Sequence, residues 1–141
     1  DFSARPEIDG RPVANRVEPG KRPRSSMSPT LVLDGEGRLV MAVGSPGGSR
    51  IIGYVTKAVI AVLDWKLNAQ DSVDYPNFLN RNGPLELEDG TGLADLKSEL
   101  EDMGHKVTLF GNPSGLNGLR GTADGIGGGA DKRREGVALG D

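Results

Sequence analysis

Cysteine is absent from this 141-residue chain, and histidine occurs only once. Without cysteine there can be no disulfide bond, no thiol nucleophile and no thiolate ligand for a metal. The single histidine, His105, leaves almost no basis for a zinc site. It lies between Gly104 and Lys106, and we interpret it as an exposed turn residue rather than a general base. The sequence therefore predicts neither a metal nor another cofactor.

Aromatic residues and an excess of positive charge are also lacking. Aromatic side chains make up 4% of the chain and the formal net charge is -3, so there is neither a stacking platform nor a basic surface for nucleic acid. A small basic cluster of Arg16, Lys21, Arg22 and Arg24 is better explained as a solvated loop. The longest apolar run, residues 51–65, is interrupted by two charges and is too short to span a membrane.

Glycine and proline, in contrast, are abundant, with 22 and nine residues, and they predict many tight turns. Residues 1–24 combine four prolines with many charges and no apolar period. We interpret them as an extended loop segment held against another part of a protein. Because the chain begins at Asp1 within loop-like sequence, we expect a processed subunit or part of a longer polypeptide.

Apolar periodicity predicts alternating strands and helices over the rest of the chain. In chain order the predicted elements are a hairpin of strands at 30–33 and 39–43, a long helix over 49–65, a short helix capped by Asn68 and running through Val73, a strand at 85–88, a helix over 93–103 capped by Thr91, and a strand at 106–110. This order predicts an α+β fold. The long helix is apolar over most of its surface, so we expect layers from outside the chain to cover it.

The most informative segment is the glycine turn at residues 44–49, where a strand ends and the long helix begins. The first N–H groups of a helix have no partner within the helix, and Gly47 and Gly48 place no side chain in front of them. Such a turn can bind a phosphate, a carboxylate or a developing oxyanion. The segment matches neither the Walker A phosphate-binding loop nor the G-x-G-x-x-G motif, so it gives no support for nucleotide binding. A close-packed turn without a ligand is the more common explanation of this spacing.

A serine-rich segment precedes the first predicted strand. Ser25, Ser26 and Ser28 supply three hydroxyls that could hold a carboxylate, although such segments are frequent in loops. No serine lies in the glycine-flanked elbow of the α/β-hydrolases. The residues alone therefore indicate an anion-binding turn and a carboxylate site, without a nucleophile and its base.

Several segments resemble the γ-glutamyltranspeptidase family. Residues 21–30 (KRPRSSMSPT) and 44–52 (GSPGGSRII) resemble its two best-known signatures. Asp1-Phe2-Ser3, residues 103–107 (MGHKV) and residues 129–134 (GADKRR) fit further landmarks. The resemblance covers nearly the whole chain, so residues 1–141 are identified as the C-terminal portion of a small subunit of this family.

The resemblance implies an N-terminal-nucleophile hydrolase, an αββα sandwich of which this chain is a fragment. In that family a precursor cleaves itself and exposes a threonine, which attacks glutathione-like γ-glutamyl amides to form an acyl-enzyme; water, an amino acid or a peptide then accepts the acyl group. By resemblance, Gly47 and Gly48 donate the oxyanion-hole N–H groups, Ser25 and Ser26 hold the substrate α-carboxylate, and Asp1 pairs with the α-ammonium group. The implied partners are the large subunit and the nucleophile-bearing part of the small subunit. Family members are usually exported.

Three departures from the family pattern leave alternatives open. The nucleophilic threonine is absent, so the chain alone is predicted to be inactive. Residues 75–83 lack the Arg-Phe-His-His that commonly follows the proline, and residues 114–117 lack the usual glutamine. The parent protein is therefore predicted to be a hydrolase, a transferase or a related β-lactam acylase. A binding module for small amino acids or peptides, or a structural remnant, remain the alternatives without catalysis.

Overall fold

A four-stranded antiparallel sheet lies at the centre of the structure, a computed structural model that describes residues 2–111 and 114–140. Its strands, in spatial order, are β3 (Thr30–Leu33), β4 (Leu39–Gly44), β8 (Asn117–Thr122) and β9 (Gly125–Ala130). The predicted hairpin is confirmed: β3 pairs with β4, and the carboxylate of Asp34 accepts the N–H groups of Glu36 and Arg38 to close the turn, each at 2.9 Å.

One face of this sheet is covered by helix α1 (Ile51–Leu63) and the short helix α2 (Ala69–Asp74). The core between them contains nine buried residues: Met41, Val43, Ile51, Tyr54, Val55, Ala58, Val62, Val73 and Leu116. The long helix predicted over 49–65 is shorter at both ends. It is preceded by a 3-10 turn, Gly48–Arg50, because Gly47 and Gly48 have positive φ values, and it ends before Lys66, whose φ is 62°.

Helix α2 begins where the sequence predicts. The side chain of Asn68 accepts the N–H of Asp71 at 2.8 Å, which satisfies one of the donors that the first helical turn leaves without a partner. Beneath α2, the buried ammonium group of Lys57 donates to the carbonyls of Ser72 and Tyr75 at 3.0 and 2.8 Å. Burial lowers the pKa of Lys57 to about 8.

A second, three-stranded sheet has the order β5 (Phe78–Asn80), β6 (Leu85–Glu88) and β7 (Val107–Phe110). Strands β6 and β7 are parallel, and the chain between them forms a 3-10 turn (Ala94–Leu96) and helix α3 (Lys97–Asp102). The predicted helix over 93–103 is therefore confirmed only in part. Its first turn stays 3-10 because the N–H of Ala94 donates to the carbonyl of Thr91, and Gly104, with a φ of 92°, follows its end.

The N-terminal segment contains a small ribbon of two paired strands, β1 (Glu7–Ile8) and β2 (Arg11–Pro12), and both strands are exposed. Asp9 and Gly10 form its turn with positive φ values. An isolated bridge between Ser3 and Arg16 closes the segment on itself. That something outside the chain holds residues 1–24 stays a prediction.

Large apolar side chains are exposed on helix α1 and on one face of the central sheet, as well as in several loops. On α1, Ile52 is 56% exposed; on the sheet face turned away from α1, Leu31 is 72% and Leu119 46% exposed. An apolar groove of about 720 Å³ lies along this sheet face. The structure is thus a mixed α+β assembly, as the sequence predicts. The covering layers that the sequence leads us to expect stay a prediction.

Candidate functional site

Strand register brings the sequence-predicted segments to one end of the central sheet. Thr30, at the start of β3, pairs with Val43 near the end of β4, while Gly44 pairs with Asn117 at the start of β8. Asn117 in turn pairs with Ala130, the last residue of β9. The serine segment before β3 and the glycine turn after β4 therefore flank the same end of the sheet, together with the chain before β8 and after β9.

The glycine turn has a backbone that other residues rarely adopt. Gly47 has φ 135° and ψ 12°, and Gly48 has φ 58°. The carbonyls of both glycines accept backbone hydrogen bonds: the N–H of Arg50 donates to that of Gly47 at 3.1 Å, and the N–H of Ile51 donates to that of Gly48. Neither glycine N–H has an acceptor among the residues that the structure describes. The space that a Cβ on Gly48 would occupy has no neighbouring atom within 4 Å, so the turn is open to a ligand on the side of Gly48.

Contacts with the chain before β8 hold the turn from one side. The hydroxyl of Ser45 donates to the carbonyl of Pro46 at 2.7 Å and accepts the N–H of Gly115 at 3.3 Å. Pro46 packs so closely on Gly115 that a Cβ there would lie 2.8 Å from the proline ring. The turn is therefore anchored to a neighbouring segment and is not a free loop.

Two arginines that share one carboxylate hold the turn from the other side. The guanidinium of Arg50 donates to both oxygens of Glu86 on β6, at 2.6 and 2.9 Å. Arg81, in the turn between β5 and β6, donates to Ser49 Oγ at 2.6 Å and to Glu86 at 2.8 Å. The hydrogen bonds from Arg50 and then Arg81 hold the pKa of Glu86 below its ordinary value. Because Arg50 and Arg81 share the single carboxylate of Glu86, the net charge beside the turn is positive and favours an anionic ligand.

The predicted carboxylate-binding serines lie in an exposed stretch of chain. Ser25 is exposed, and its hydroxyl accepts the N–H of Met27 at 3.2 Å. Ser26 is half-buried, and its carbonyl accepts the hydroxyl of Ser28 at 3.2 Å. The serine segment is thus shaped by its own hydroxyls, as short serine turns commonly are. Asp1, the predicted partner of the substrate ammonium group, lies outside the described residues.

A buried ionic network stands behind the site, and sequence reasoning missed it. Arg133 binds both oxygens of Glu88 and one oxygen of Asp131, and these side chains are 11%, 8% and 1% exposed. The other oxygen of Asp131 accepts the hydroxyl of Ser114 at 2.6 Å and the N–H of Leu116 at 3.1 Å. Burial alone would raise the pKa of Asp131, but these hydrogen bonds outweigh it and lower the pKa.

The only sequence signal for this network is indirect. Arg133 and Asp131 lie in the segment 129–134, which the resemblance singles out without giving those residues a role. Glu88 ends a strand whose alternation predicts a half-buried surface, and nothing local pairs it with an arginine 45 positions later. His105 is exposed, in agreement with its interpretation as a turn residue.

Residues 2–111 and 114–140 contain neither a candidate metal site nor a candidate membrane span. No cluster of three or more histidine, aspartate or glutamate side chains in this part of the chain could hold a metal ion. In the same residues, none of the helices has both the length and the apolar character that crossing a bilayer requires.

Comparison with known proteins identifies the fold and then the family. The chain superposes on γ-glutamyltranspeptidase from Pseudomonas nitroreducens with a TM-score of 0.80, at 27% identity, covering 99% of this chain and 77% of that one. A mutant form of the Helicobacter pylori enzyme gives 0.78 at 33% identity, covering 94% and 77%. The chain thus has the fold of this class of N-terminal-nucleophile hydrolases. The family model for gamma-glutamyltranspeptidase matches residues 1–141, and the chain belongs to that family.

Curated relatives agree with this assignment. The glutathione hydrolase proenzyme of Escherichia coli is 41% identical over 115 residues, which are 77% of this chain and 20% of that protein. The acylase ACY 1 proenzyme of a Pseudomonas species is 34% identical over 110 residues, 77% of this chain and 19% of that protein. The chain therefore spans about a fifth of the length of these relatives.

Proposed function

We propose that this chain forms the oxyanion-stabilising and substrate-binding part of a γ-glutamyltransferase or hydrolase that acts on glutathione-like γ-glutamyl amides. The observation that carries the proposal is the pair of backbone N–H groups at Gly47 and Gly48. They have no acceptor among the described residues, and they lie at the start of a helix beside Arg50 and Arg81. Donors fixed before the reaction begins are what a tetrahedral oxyanion requires.

The proposed reaction divides into two acyl transfers. The hydroxyl of a threonine from the remainder of the protein attacks the γ-carbonyl carbon, and its proton passes through an amine base to the leaving nitrogen. A bond forms from the threonine oxygen to the carbonyl carbon, and the carbon–nitrogen bond breaks. The N–H groups of Gly47 and Gly48 stabilise the oxyanion of each tetrahedral intermediate. Water, an amino acid or a peptide then takes the acyl group.

The remaining residues hold the donor substrate in this proposal. Ser25 and Ser26 bind its α-carboxylate, and Asp1 binds its α-ammonium group. The strand register supports the serine assignment, because it places the serine segment and the glycine turn at the same end of the sheet. The proposed partners are the large subunit and the threonine-bearing part of the small subunit, which agrees with relatives that are named proenzymes.

The test of the oxyanion assignment is Gly48→Ala in the complete protein that carries this chain. An added methyl group meets no protein atom within 4 Å, so it fits the fold and would stand in the open space beside the Gly48 N–H group. The variant keeps the N–H, but the methyl group obstructs access to it; because removal of one oxyanion donor costs roughly 10²–10³, we expect kcat/KM for a chromogenic γ-glutamyl anilide to fall at least about tenfold. Gly37→Ala is the matched control, with a φ of 80° and an equally open Cβ position in the hairpin turn at the other end of the sheet.

Both variants carry a similar backbone cost of about 1–2 kcal/mol for a left-handed residue. Equal activity of Gly48→Ala and Gly37→Ala would therefore contradict the oxyanion assignment. Lack of turnover in the unmutated complete protein, combined with saturable binding of glutamate by calorimetry, would instead indicate a binding module.

A second candidate, a β-lactam acylase, is favoured by one observation. Residues 75–83 depart from the common family pattern, and Arg81 from this loop reaches Ser49 in the turn that follows Gly48. The acylase relative, at 34% identity, is nearly as similar as several of the glutathione hydrolases. Faster hydrolysis of an N-acylated cephalosporin than of the γ-glutamyl anilide would favour the acylase.

A further inference from the structure

The glycine turn rests on a buried aromatic ring. Tyr54 lies one helical turn into α1 and is 1% exposed. Its Cε2 atom is 2.6 Å, and its Cδ2 atom 3.1 Å, from the position that a Cβ on Gly47 would occupy. Real Cβ atoms do not approach ring carbons this closely, because van der Waals contact between carbons begins near 3.5 Å. The ring therefore leaves room at Gly47 for a hydrogen atom and nothing larger.

The ring itself is well fixed. Tyr54 belongs to the core cluster that joins α1 to strand β4, where Met41 and Val43 are 1% and 5% exposed. Four residues earlier, the two-point contact between Arg50 and Glu86 attaches the start of the same helix to the second sheet. A side chain held on all sides can act as a rigid support for the backbone that touches it.

The hydroxyl of Tyr54 adds nothing to this support. It is buried and has no hydrogen-bond partner among the described residues. An unsatisfied buried hydroxyl typically costs about 1–3 kcal/mol. Burial raises the pKa of Tyr54 to about 12, so the group stays neutral at physiological pH. The contact with Gly47 is made by ring carbons alone.

We propose that the ring of Tyr54 is a positioning element for the oxyanion-stabilising turn, which it holds by direct contact beneath Gly47. The proposal rests on the function proposed above for Gly47 and Gly48. Tyr54 does not touch the substrate in this proposal; it acts through the glycine backbone. Its loss would let the two N–H groups move, and misplacement by about 1 Å can cost up to 10²-fold in rate.

The position of Tyr54 predicts a particular kinetic signature. Oxyanion donors act in the transition state and contribute little to binding of the ground state. Removing the ring should therefore lower kcat and leave KM nearly unchanged. A residue that only stabilised the fold would lower the melting temperature without changing kcat of the folded fraction.

The experiment compares substitutions of Tyr54 in the complete protein. In Tyr54→Leu we expect kcat to fall about 10–100-fold with KM within about threefold of the unmutated value. In Tyr54→Phe, which keeps the ring and removes the unpartnered hydroxyl, both constants should stay within about threefold and the melting temperature should not fall. If Tyr54→Leu does not fold, Tyr54→Met keeps most of the volume without a planar ring and serves in its place.

Val62→Ala is the matched control for loss of core packing. Val62 is 2% exposed in the same cluster and lies eight residues further along α1, roughly 12 Å away at 1.5 Å per residue. We expect it to lower the melting temperature and leave kcat unchanged.

An unchanged kcat in Tyr54→Leu, or an equal loss of kcat in Tyr54→Phe, would overturn the proposal. If one of these outcomes is found while Gly48→Ala still slows turnover, only the role of Tyr54 is wrong. If Gly48→Ala also leaves turnover unchanged, the oxyanion assignment is wrong as well.

Discussion

At the scale of single residues, Gly129 is required by a neighbouring backbone. A Cβ at this position would lie 2.6 Å from the carbonyl carbon and oxygen of Ala69 and 2.8 Å from the nitrogen of Gln70. The side chain of Gln70 also pairs with both backbone groups of Ala130, at 2.9 and 3.1 Å. The first turn of α2 is therefore pressed against β9, and no flexible side chain can give way.

We predict that Gly129→Ala destabilises the complete protein by about 1–3 kcal/mol, the usual cost of overpacking a close contact. Gly127→Ala in the same strand is the control, because the nearest atom to its Cβ position, the carbonyl oxygen of Arg120, is 3.9 Å away. Thermal melting of the two variants checks this. Equal melting temperatures would show that α2 can shift away from the strand at no cost.

At the scale of elements, the ion pair between Arg50 and Glu86 fixes where α1 begins relative to β6. The guanidinium of Arg50 also lies 5.3 Å from the ring centre of Phe110 on β7. Because the carboxylate of Glu86 is stabilised in the folded protein, its folded pKa is lower than its ordinary value of 4.5. The contribution of this pair to stability is therefore present above pH 4.5 and is lost as the pH falls through the folded pKa.

We predict that Glu86→Gln lowers the melting temperature at neutral pH, in proportion to a loss of about 1–3 kcal/mol for charged hydrogen bonds. The difference from the unmutated protein should shrink as the pH is lowered below 4.5. Glu36→Gln, at an exposed ion pair with Arg38, is the control and should have little effect at any pH. A difference for Glu86→Gln that did not change with pH would contradict the ionic origin.

Sequence patterns predict these elements well where the signal is local. The Asp-Gly hairpin and the Asn68 cap depend on neighbouring residues, and both are confirmed. The 3-10 start of α1 was missed, because it depends on the unusual dihedral angles of Gly47 and Gly48. In the sequence, Lys57 only interrupts an apolar helix. Its hydrogen-bond acceptors, the carbonyls of Ser72 and Tyr75, lie at the end of another helix, and no local pattern connects them with Lys57.

The candidate site was predictable only in part for the same reason. The glycine turn has a recognisable local sequence, whereas the ring contact of Tyr54 has none, since an aromatic residue in an apolar helix is ordinarily core. Pairs such as Arg133 and Glu88 join positions far apart in the chain, and neither periodicity nor a short motif connects them.

At the scale of the whole molecule, Arg133 joins three elements. It pairs with Glu88 at the end of β6 and with Asp131 after β9, and it donates to the carbonyls of Val73 and Asp74 at the end of α2. A guanidinium can make these contacts together because its donors are fixed in a plane. The ammonium group of a lysine has three donors on one nitrogen and cannot reach all of these acceptors at once.

We predict that Arg133→Lys destabilises the complete protein by about 1–3 kcal/mol, since lysine keeps the charge but has too few donors and leaves buried acceptors without a hydrogen bond. The control is Arg38→Lys, whose side chain is 72% exposed and whose ion pairs should contribute less than about 1 kcal/mol. Denaturant unfolding measures both. A similar, small effect of the two substitutions would mean that the network does not hold the sheets and α2 together.

The order of the strands also has a consequence for biosynthesis. β4 is paired on one side by its hairpin partner, but its other partner, β8, follows only after helices α1, α2 and α3 and the whole second sheet have been synthesised. Until then β4 presents an open hydrogen-bonding edge, which is prone to join with other chains. The contact of Ser45 with Gly115 must also wait for that late segment. The glycine turn nearest the proposed chemistry therefore cannot reach its final geometry until residues some 70 positions further along the chain have been synthesised.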